Sequence, residues 1–204
     1  TSHFACADDL SSPATSQQIA TFDQHLPTDS DQVLPLTSLA NSAAILAWPA
    51  AQRDWQRPGY MLYGNSPFAQ PQANADQLRP VMSFESAVIS VRQIAAGESV
   101  GYGATWTAER PSRIATVAVG YGDGYPRHAP NGTPVLVNGV KCPLAGRVSM
   151  DMITVDVTAI EASIGDKAIL WGPALPVNEV AAACNTIGYE LLTRMPARVP
   201  RTYL

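Results

Sequence analysis

Apolar residues follow two different rhythms along this chain. In the first stretch they recur three or four positions apart. Ser12-Pro13 offers a capping hydroxyl with proline at the first helical position, and Ile19, Phe22 and Leu26 then fall on one helical face. Ala40-Asn41-Ser42-Ala43 opens a second short helix, which must stop before Pro49 because the residue preceding a proline is pushed out of the helical region. Val33–Leu36 and Tyr60–Tyr63 read as short strands. Strands alternating with helices imply parallel βαβ units. Two or three parallel strands alone would leave open edges that a closed barrel pairs. Residues 1–78 are therefore expected to be the last portion of a (β/α)8 barrel.

A loop rich in polar residues, proline and alanine runs from Ser66 to Pro80, and the rhythm then changes. Val81–Ile94, Arg113–Gly120, Pro134–Pro143, Met152–Val157 and Lys167–Trp171 read as strands separated by Gly, Pro and Asn. Asn138-Gly139, between Val135-Leu136-Val137 and Val140, is a type I′ hairpin signal. One helix interrupts the series: Asn178 caps it, Val180, Cys184 and Ile187 line a face, and Gly188 ends it. The expected fold class is thus α/β plus β: a partial barrel, then a mostly antiparallel β domain over residues 79–204.

Composition narrows the function classes. With 46% apolar and 15% charged residues, the 204 residues describe a globular protein with a real core. A formal charge of -4, with Lys and Arg scattered, gives no nucleic-acid footprint. No apolar run approaches the ~18 residues of a membrane span, and no secretory pattern is visible at the first residues. Cys6, Cys142 and Cys184 are too far apart to suggest a metal pair or a disulfide framework, and the three histidines show no zinc spacing. A reducing, cytoplasmic setting without a metal is the expectation.

The candidate chemistry is ambiguous residue by residue. Asn41-Ser42 at a strand-to-helix turn suits a phosphate, yet also reads as an ordinary helix cap. Arg57-Pro58-Gly59 can place a guanidinium at a barrel mouth, or be a surface loop. Gly101-Tyr102-Gly103 sets a phenol on a bend where the backbone can approach a ligand closely, though a structural turn would look the same. Gly120-Tyr121-Gly122-Asp123-Gly124-Tyr125 has the same character and lacks the spacing of a dinucleotide loop.

Together, and in order, these blocks carry more information. His3-Phe4-Ala5, Ala40–Ala44, Arg57-Pro58-Gly59 with Tyr63-Gly64, Val100–Trp106, Val119–Tyr125, Gly146–Asp151 and Arg198–Arg201 closely resemble the alanine racemases along essentially the whole chain. The resemblance implies pyridoxal 5′-phosphate as cofactor, an amino acid as substrate, and a head-to-tail homodimer with shared active sites. Tyr102 then matches the family's tyrosine base. It acts from the face opposite a lysine that also holds the cofactor, so that a Cα proton can leave one side and return on the other. A phenol ionises near pH ~10 in water, so such a base needs activation. The family's lysine segment precedes anything present here, and Lys141 and Lys167 match no such motif. The chain alone is accordingly expected to be inactive.

The same resemblance assigns the remaining residues. His3 matches the histidine close to the cofactor. Arg57 matches the arginine facing the pyridine nitrogen, where a permanently charged donor keeps that nitrogen unprotonated. Ser42, the backbone of Gly59 and Tyr60, and Tyr189 match the phosphate set, in keeping with phosphate sites at barrel mouths. Met150 with its neighbour Asp151, and Tyr121, stand on the substrate side; Asp8, Arg127 and Arg147, together with Tyr121, line the entrance corridor. Ser38 stands where some members carry a second histidine. Two other readings stay open: a non-catalytic oligomerisation or binding module of the same fold, and a racemase for serine, lysine or arginine.

Overall fold

The computed structural model describes residues 1–27 and 35–203, and these fall into two compact units, Thr1–Val81 and Met82–Leu204. In the first unit, helix α1 spans Ala14–Gln24 and α2 spans Ser42–Ala47. The Ser12 hydroxyl accepts the Ala14 amide (3.3 Å), with Pro13 just outside the helix. Asn41 caps α2, its side-chain oxygen accepting the Ala44 amide (3.0 Å) and satisfying one orphan donor of the first turn. Phe4, Ile19, Leu39, Leu46 and Phe68 form the centre of this unit's core, with Trp48 packed against it and donating its indole N–H to the Ala7 carbonyl (2.9 Å).

The expected strand Val33–Leu36 lies partly outside the described residues; Pro35 and Leu36 have no regular structure. Strand-like pairing survives nearby as a narrow ladder. Ser2 donates to Ser38 (3.1 Å), Trp55 to Thr37 (3.0 Å) and Arg57 to Ala40 (2.9 Å), with a parallel bridge between Ser38 and Trp55. Tyr60–Tyr63 is not a strand but a 3₁₀ turn, closed by Gly64 in the left-handed region (φ 74°). Its first amides are gathered by a hydroxyl from α2, described below, and that local attraction outweighs the extended preference of two tyrosines.

The second unit is built on an antiparallel sheet. Its strands are β1 (Phe84–Ile94), β4 (Ser112–Val117), β5 (Pro134–Val137), β6 (Val140–Pro143), β7 (Ile153–Asp156) and β8 (Lys167–Trp171), in the order β6-β5-β8-β1-β4-β7. A register shift between Val88 and Ser90 bends β1, so that its first half pairs with β8 and its second with β4. Asn138 (φ 53°) and Gly139 (φ 79°) make the β5–β6 turn, as a type I′ hairpin requires. Beyond β6, Leu144 bridges to Val155 and the Ala145 amide donates to Thr154 (2.8 Å), bringing the two sheet edges together. Val88, Ile114, Val117, Val135, Val155 and Leu170 are buried on the strands.

A separate two-stranded ribbon, β2 (Ser99–Val100) and β3 (Trp106–Thr107), stands beside this sheet. After β8 come two helices rather than the one expected: α3 (Val177–Ala183) and α4 (Gly188–Thr193). Asn178 lies inside α3, Ile187 is exposed, and Gly188 opens α4 instead of ending α3. The stop is Asn185, which takes the left-handed conformation (φ 54°) one residue past the C-cap.

Candidate functional site

Among the residues marked by the sequence, the first unit groups His3, Ser42, Arg57, Gly59 and Tyr60. Buried at the start of α2, Ser42 aims its hydroxyl at the chain after Pro58, where its oxygen accepts the amides of Gly59 (2.9 Å) and Met61 (3.2 Å). Two acceptor sites are thereby filled, and the hydroxyl proton is left to donate outward. Gly59 has no side chain to close this corner; a Cβ there would point to within 4.0 Å of the Ser42 oxygen. A hydroxyl proton left to donate beside an uncrowded glycine suits an oxyanion such as a phosphate.

Arg57 sits at the end of the ladder and reaches across it. Nη1 donates to the Ser38 hydroxyl and to Thr1 Oγ1 (3.1 Å); Nη2 donates to Ser2 O (2.6 Å) and Leu39 O (3.3 Å) and lies 3.4 Å from His3 Nδ1. Ser38 thus serves as one of the acceptors that fix the guanidinium. Asp8 lies in the exposed turn that follows Phe4. An open cleft of about 680 Å³ lies between the first residues and α1 and is lined by none of Ser42, Arg57, Gly59 or Tyr60.

In the second unit Tyr102 is 70% exposed on the loop Gly101–Thr105, between β2 and β3. Gly101 (φ 78°) and Gly103 (φ 74°) flank it, and Gly101 rests on the segment carrying Arg147: a Cβ would lie 3.0 Å from the Arg147 nitrogen. Arg127 and Arg147 line an open cleft of about 470 Å³ with Thr105, His128 and Asn131. Tyr121 and Met150 are held together by backbone bonds: the Tyr121 amide donates to Ser149 O (3.0 Å) and the Gly122 amide to Met150 O (2.8 Å). Tyr189 stands in the first turn of α4, partly exposed.

Two residues without an assigned role tie these loops. Arg198 donates through Nε to Asp123 (2.8 Å) and through Nη2 to Asp151 (2.6 Å), and its guanidinium lies flat against Gly122, where a Cβ would come within 2.9 Å. Asp151 and Asp123 together raise the Arg198 pKa further above its already high value. The second is Asn131, which donates to Thr105 O (2.8 Å) and accepts from the Gly146 amide (2.7 Å). Neither pairing is visible as a local pattern, because the partners lie between 15 and 75 residues away. Among the described residues, no group of three or more His, Cys, Asp or Glu could hold a metal, and no helix is long and apolar enough to cross a membrane.

Comparison with known proteins bears on all of these residues at once. The family profile "Alanine racemase, N-terminal domain" matches residues 1–67, and "Alanine racemase, C-terminal domain" matches residues 81–203. The biosynthetic alanine racemase of Pseudomonas aeruginosa is 58% identical over 203 residues, covering 99% of this chain and 56% of its own length; that of Stutzerimonas stutzeri is 52% identical, covering 100% and 56%. Among solved structures, the P. aeruginosa biosynthetic enzyme superposes with a TM-score of 0.92 at 56% identity, over 99% of this chain and 56% of that one. The Bartonella henselae alanine racemase, solved with covalently bound pyridoxal phosphate, gives 0.88 at 36% identity, over 99% and 55%. The chain therefore spans about half the length of the curated relatives it matches. With both domain profiles matched in order and more than half its positions shared with one of these enzymes, this chain belongs to the alanine racemase family.

Proposed function

We propose that the protein to which this chain belongs interconverts L- and D-alanine with pyridoxal 5′-phosphate, and that residues 1–78 are the final part of the barrel that binds it. The observation that carries this reading is the Ser42 hydroxyl, which gathers the amides of Gly59 and Met61 beside a guanidinium fixed by a fan of acceptors. Those groups fit the cofactor's two ends. Ser42 with the backbone of Gly59 and Tyr60 would hold its phosphate, and the resemblance assigns Tyr189 to the same role. Arg57 would face its ring nitrogen, and His3, in contact with Arg57, would stand close to the ring.

When bound, the cofactor draws electron density away from the amino acid's Cα–H bond. This chain's residues then manage the proton and the substrate. Tyr102 takes the Cα proton from one face or returns it there, through its phenol oxygen. The base for the other face is a lysine outside these 204 residues, so this chain alone is inactive. Met150 and Tyr121 bind on the substrate side, while Asp8, Arg127 and Arg147 line the corridor. By the family resemblance, the phenol of Tyr102, 70% exposed on its loop, is assigned to the active site of a second subunit in a cytoplasmic homodimer.

The test is direct. These 204 residues are incubated with pyridoxal phosphate and L-alanine, with and without the half supplied separately by the corresponding enzyme, and D-alanine is measured by chiral chromatography. Product only with the added half supports the proposal. Turnover by the chain alone overturns the lysine assignment, and turnover of serine, lysine or arginine in preference to alanine overturns the substrate.

A further inference from the structure

We propose that Asn131 is a positioning residue for the Tyr102 loop, an inference that rests on the proposed role of Tyr102 as a proton-transfer base.

The loop Gly101–Thr105 is a demanding piece of backbone. Gly101, Gly103 and Ala104 all have positive φ, and Ala104 (φ 47°) does so with a side chain, a strained state that persists only where its surroundings impose it. The near end is fixed by close packing. A Cβ on Gly101 would lie 3.0 Å from the Arg147 nitrogen, and one on Gly146 would lie 2.8 Å from Val100 O, so the two backbones touch. At the far end Thr105 O receives the Asn131 side-chain N–H at 2.8 Å. The same amide's oxygen receives the Gly146 N–H at 2.7 Å.

One planar group thus spans the loop and the segment on which the loop rests. A carbonyl on one side and an N–H on the other leave a single orientation of the amide that satisfies both. Aspartate cannot donate, and glutamine would displace the amide by one methylene. Asn131 is itself anchored: its neighbours bond to β-domain backbone through Gly132 to Leu144 O (2.9 Å) and Thr133 to Pro130 O (3.2 Å), and Leu144 returns a bond to Thr133 (2.9 Å). Thr105 is therefore held from a fixed point. Releasing it lets the loop turn about its three left-handed residues and carries the phenol oxygen away from its working position.

Asn131→Asp separates the two bonds. The carboxylate still accepts from Gly146 but now faces the Thr105 carbonyl without a proton to offer. Asn131→Ala removes both. The two variants and the unsubstituted protein are prepared as the full-length enzyme with cofactor. Backbone hydrogen exchange is followed over residues 101–106 and at Gly146. Deuterium incorporation at Cα is followed by proton NMR in heavy water, starting from each pure enantiomer of alanine.

Asn131→Asp is expected to speed exchange in the loop while Gly146 stays protected, and Asn131→Ala to lose both. A phenol displaced by ~1 Å should slow Cα exchange of one enantiomer by about 10–100-fold, while the enantiomer handled by the opposite base stays within about 3-fold. Unchanged loop exchange in both variants overturns the proposal. So does faster loop exchange with both enantiomers unaffected, or with both slowed alike. If the unsubstituted enzyme exchanges neither enantiomer, the racemase reading itself fails; without a proton-transfer task for Tyr102 the positioning role falls with it, although the loop-exchange result still decides whether Asn131 holds the loop.

Discussion

Gly120→Ala tests whether the Tyr121 turn and the Met150 segment are held together by contact alone. Gly120 has φ -153°, an extended value open to any residue, so conformational strain does not enter. Space does. An added Cβ would lie 2.3 Å from Ser149 O, 2.4 Å from Met150 O and 2.5 Å from the Met150 carbonyl carbon, all of them backbone atoms. Restoring ordinary contact needs a separation of roughly 1 Å, which stretches the Tyr121–Ser149 (3.0 Å) and Gly122–Met150 (2.8 Å) bonds beyond hydrogen-bonding range. Two bonds at about 1 kcal/mol each, plus about 1–3 kcal/mol for overpacking, give roughly 3–5 kcal/mol of lost stability. In a domain of this size that lowers Tm by about 10 °C or more. Gly97→Ala is the control: its φ is 87° with nothing within 4 Å, so only strain of about 1 kcal/mol applies. Thermal and urea unfolding of both variants, with KM for alanine, decides the matter. Equal, small losses in the two variants would refute the steric reasoning, and an unchanged KM in Gly120→Ala would refute the placement of Tyr121 and Met150 on the substrate side.

Three further outcomes follow from the same geometry. Ser42→Ala strands the Gly59 and Met61 amides; since Gly59 is open to solvent, the stability loss should be only about 1–2 kcal/mol by urea unfolding, while affinity for pyridoxal phosphate in equilibrium dialysis of the full-length protein falls about 10–100-fold. Tyr125→Phe should leave stability unchanged or raise it, because the Tyr125 hydroxyl is buried without a partner and the phenylalanine ring keeps the stacking on Trp171 (6.3 Å between centroids). Burial pushes the Tyr125 phenol far above its ordinary range, with the neighbouring Cys184 adding a smaller push. The folded state thus holds a proton that the unfolded chain gives up, and this stabilisation is complete below pH ~10 and fades as pH rises beyond it. Burial raises the Cys142 and Cys184 thiols in the same direction, and their share fades from about pH 8.5 upward. Ultraviolet titration should show one of the seven tyrosines ionising only as the protein unfolds, and a Tyr125 that titrates in the native state would refute this.

Where structure was dictated by neighbours in sequence, it could be read. Asn138-Gly139 announced its hairpin, Asn41 its helix cap, and Gly101 and Gly103 the bend that presents Tyr102. The misreadings have specific causes. Tyr60–Tyr63 has strand-forming side chains, but the Ser42 hydroxyl, 17 residues before Gly59, draws the chain into a turn. Gly188 looked like a helix stop because glycine commonly ends helices; Asn185 had already taken that place, freeing Gly188 to begin the next helix. The bonding partners of Asn131 and Arg198 carried no pattern, since a side chain that bonds across long sequence separations looks like any polar loop residue until the fold is known.

The clamp at Asn131 also bears on how the protein ages. Asn131 precedes Gly132, the pairing in which the next residue's amide nitrogen most easily attacks the side-chain carbonyl carbon; ammonia leaves, and water then opens the ring to aspartate or isoaspartate. Attack needs the side chain to rotate, and the bonds to Thr105 and Gly146 hold it still. The contacts that position the loop therefore also delay its chemical decay. Each thermal opening exposes the amide to a reaction whose product can no longer donate to Thr105, so wear at this one residue is permanent and converts the side chain into the form least able to close again. Peptide mapping of heat-aged protein should find acid at position 131 accumulating in step with loop mobility.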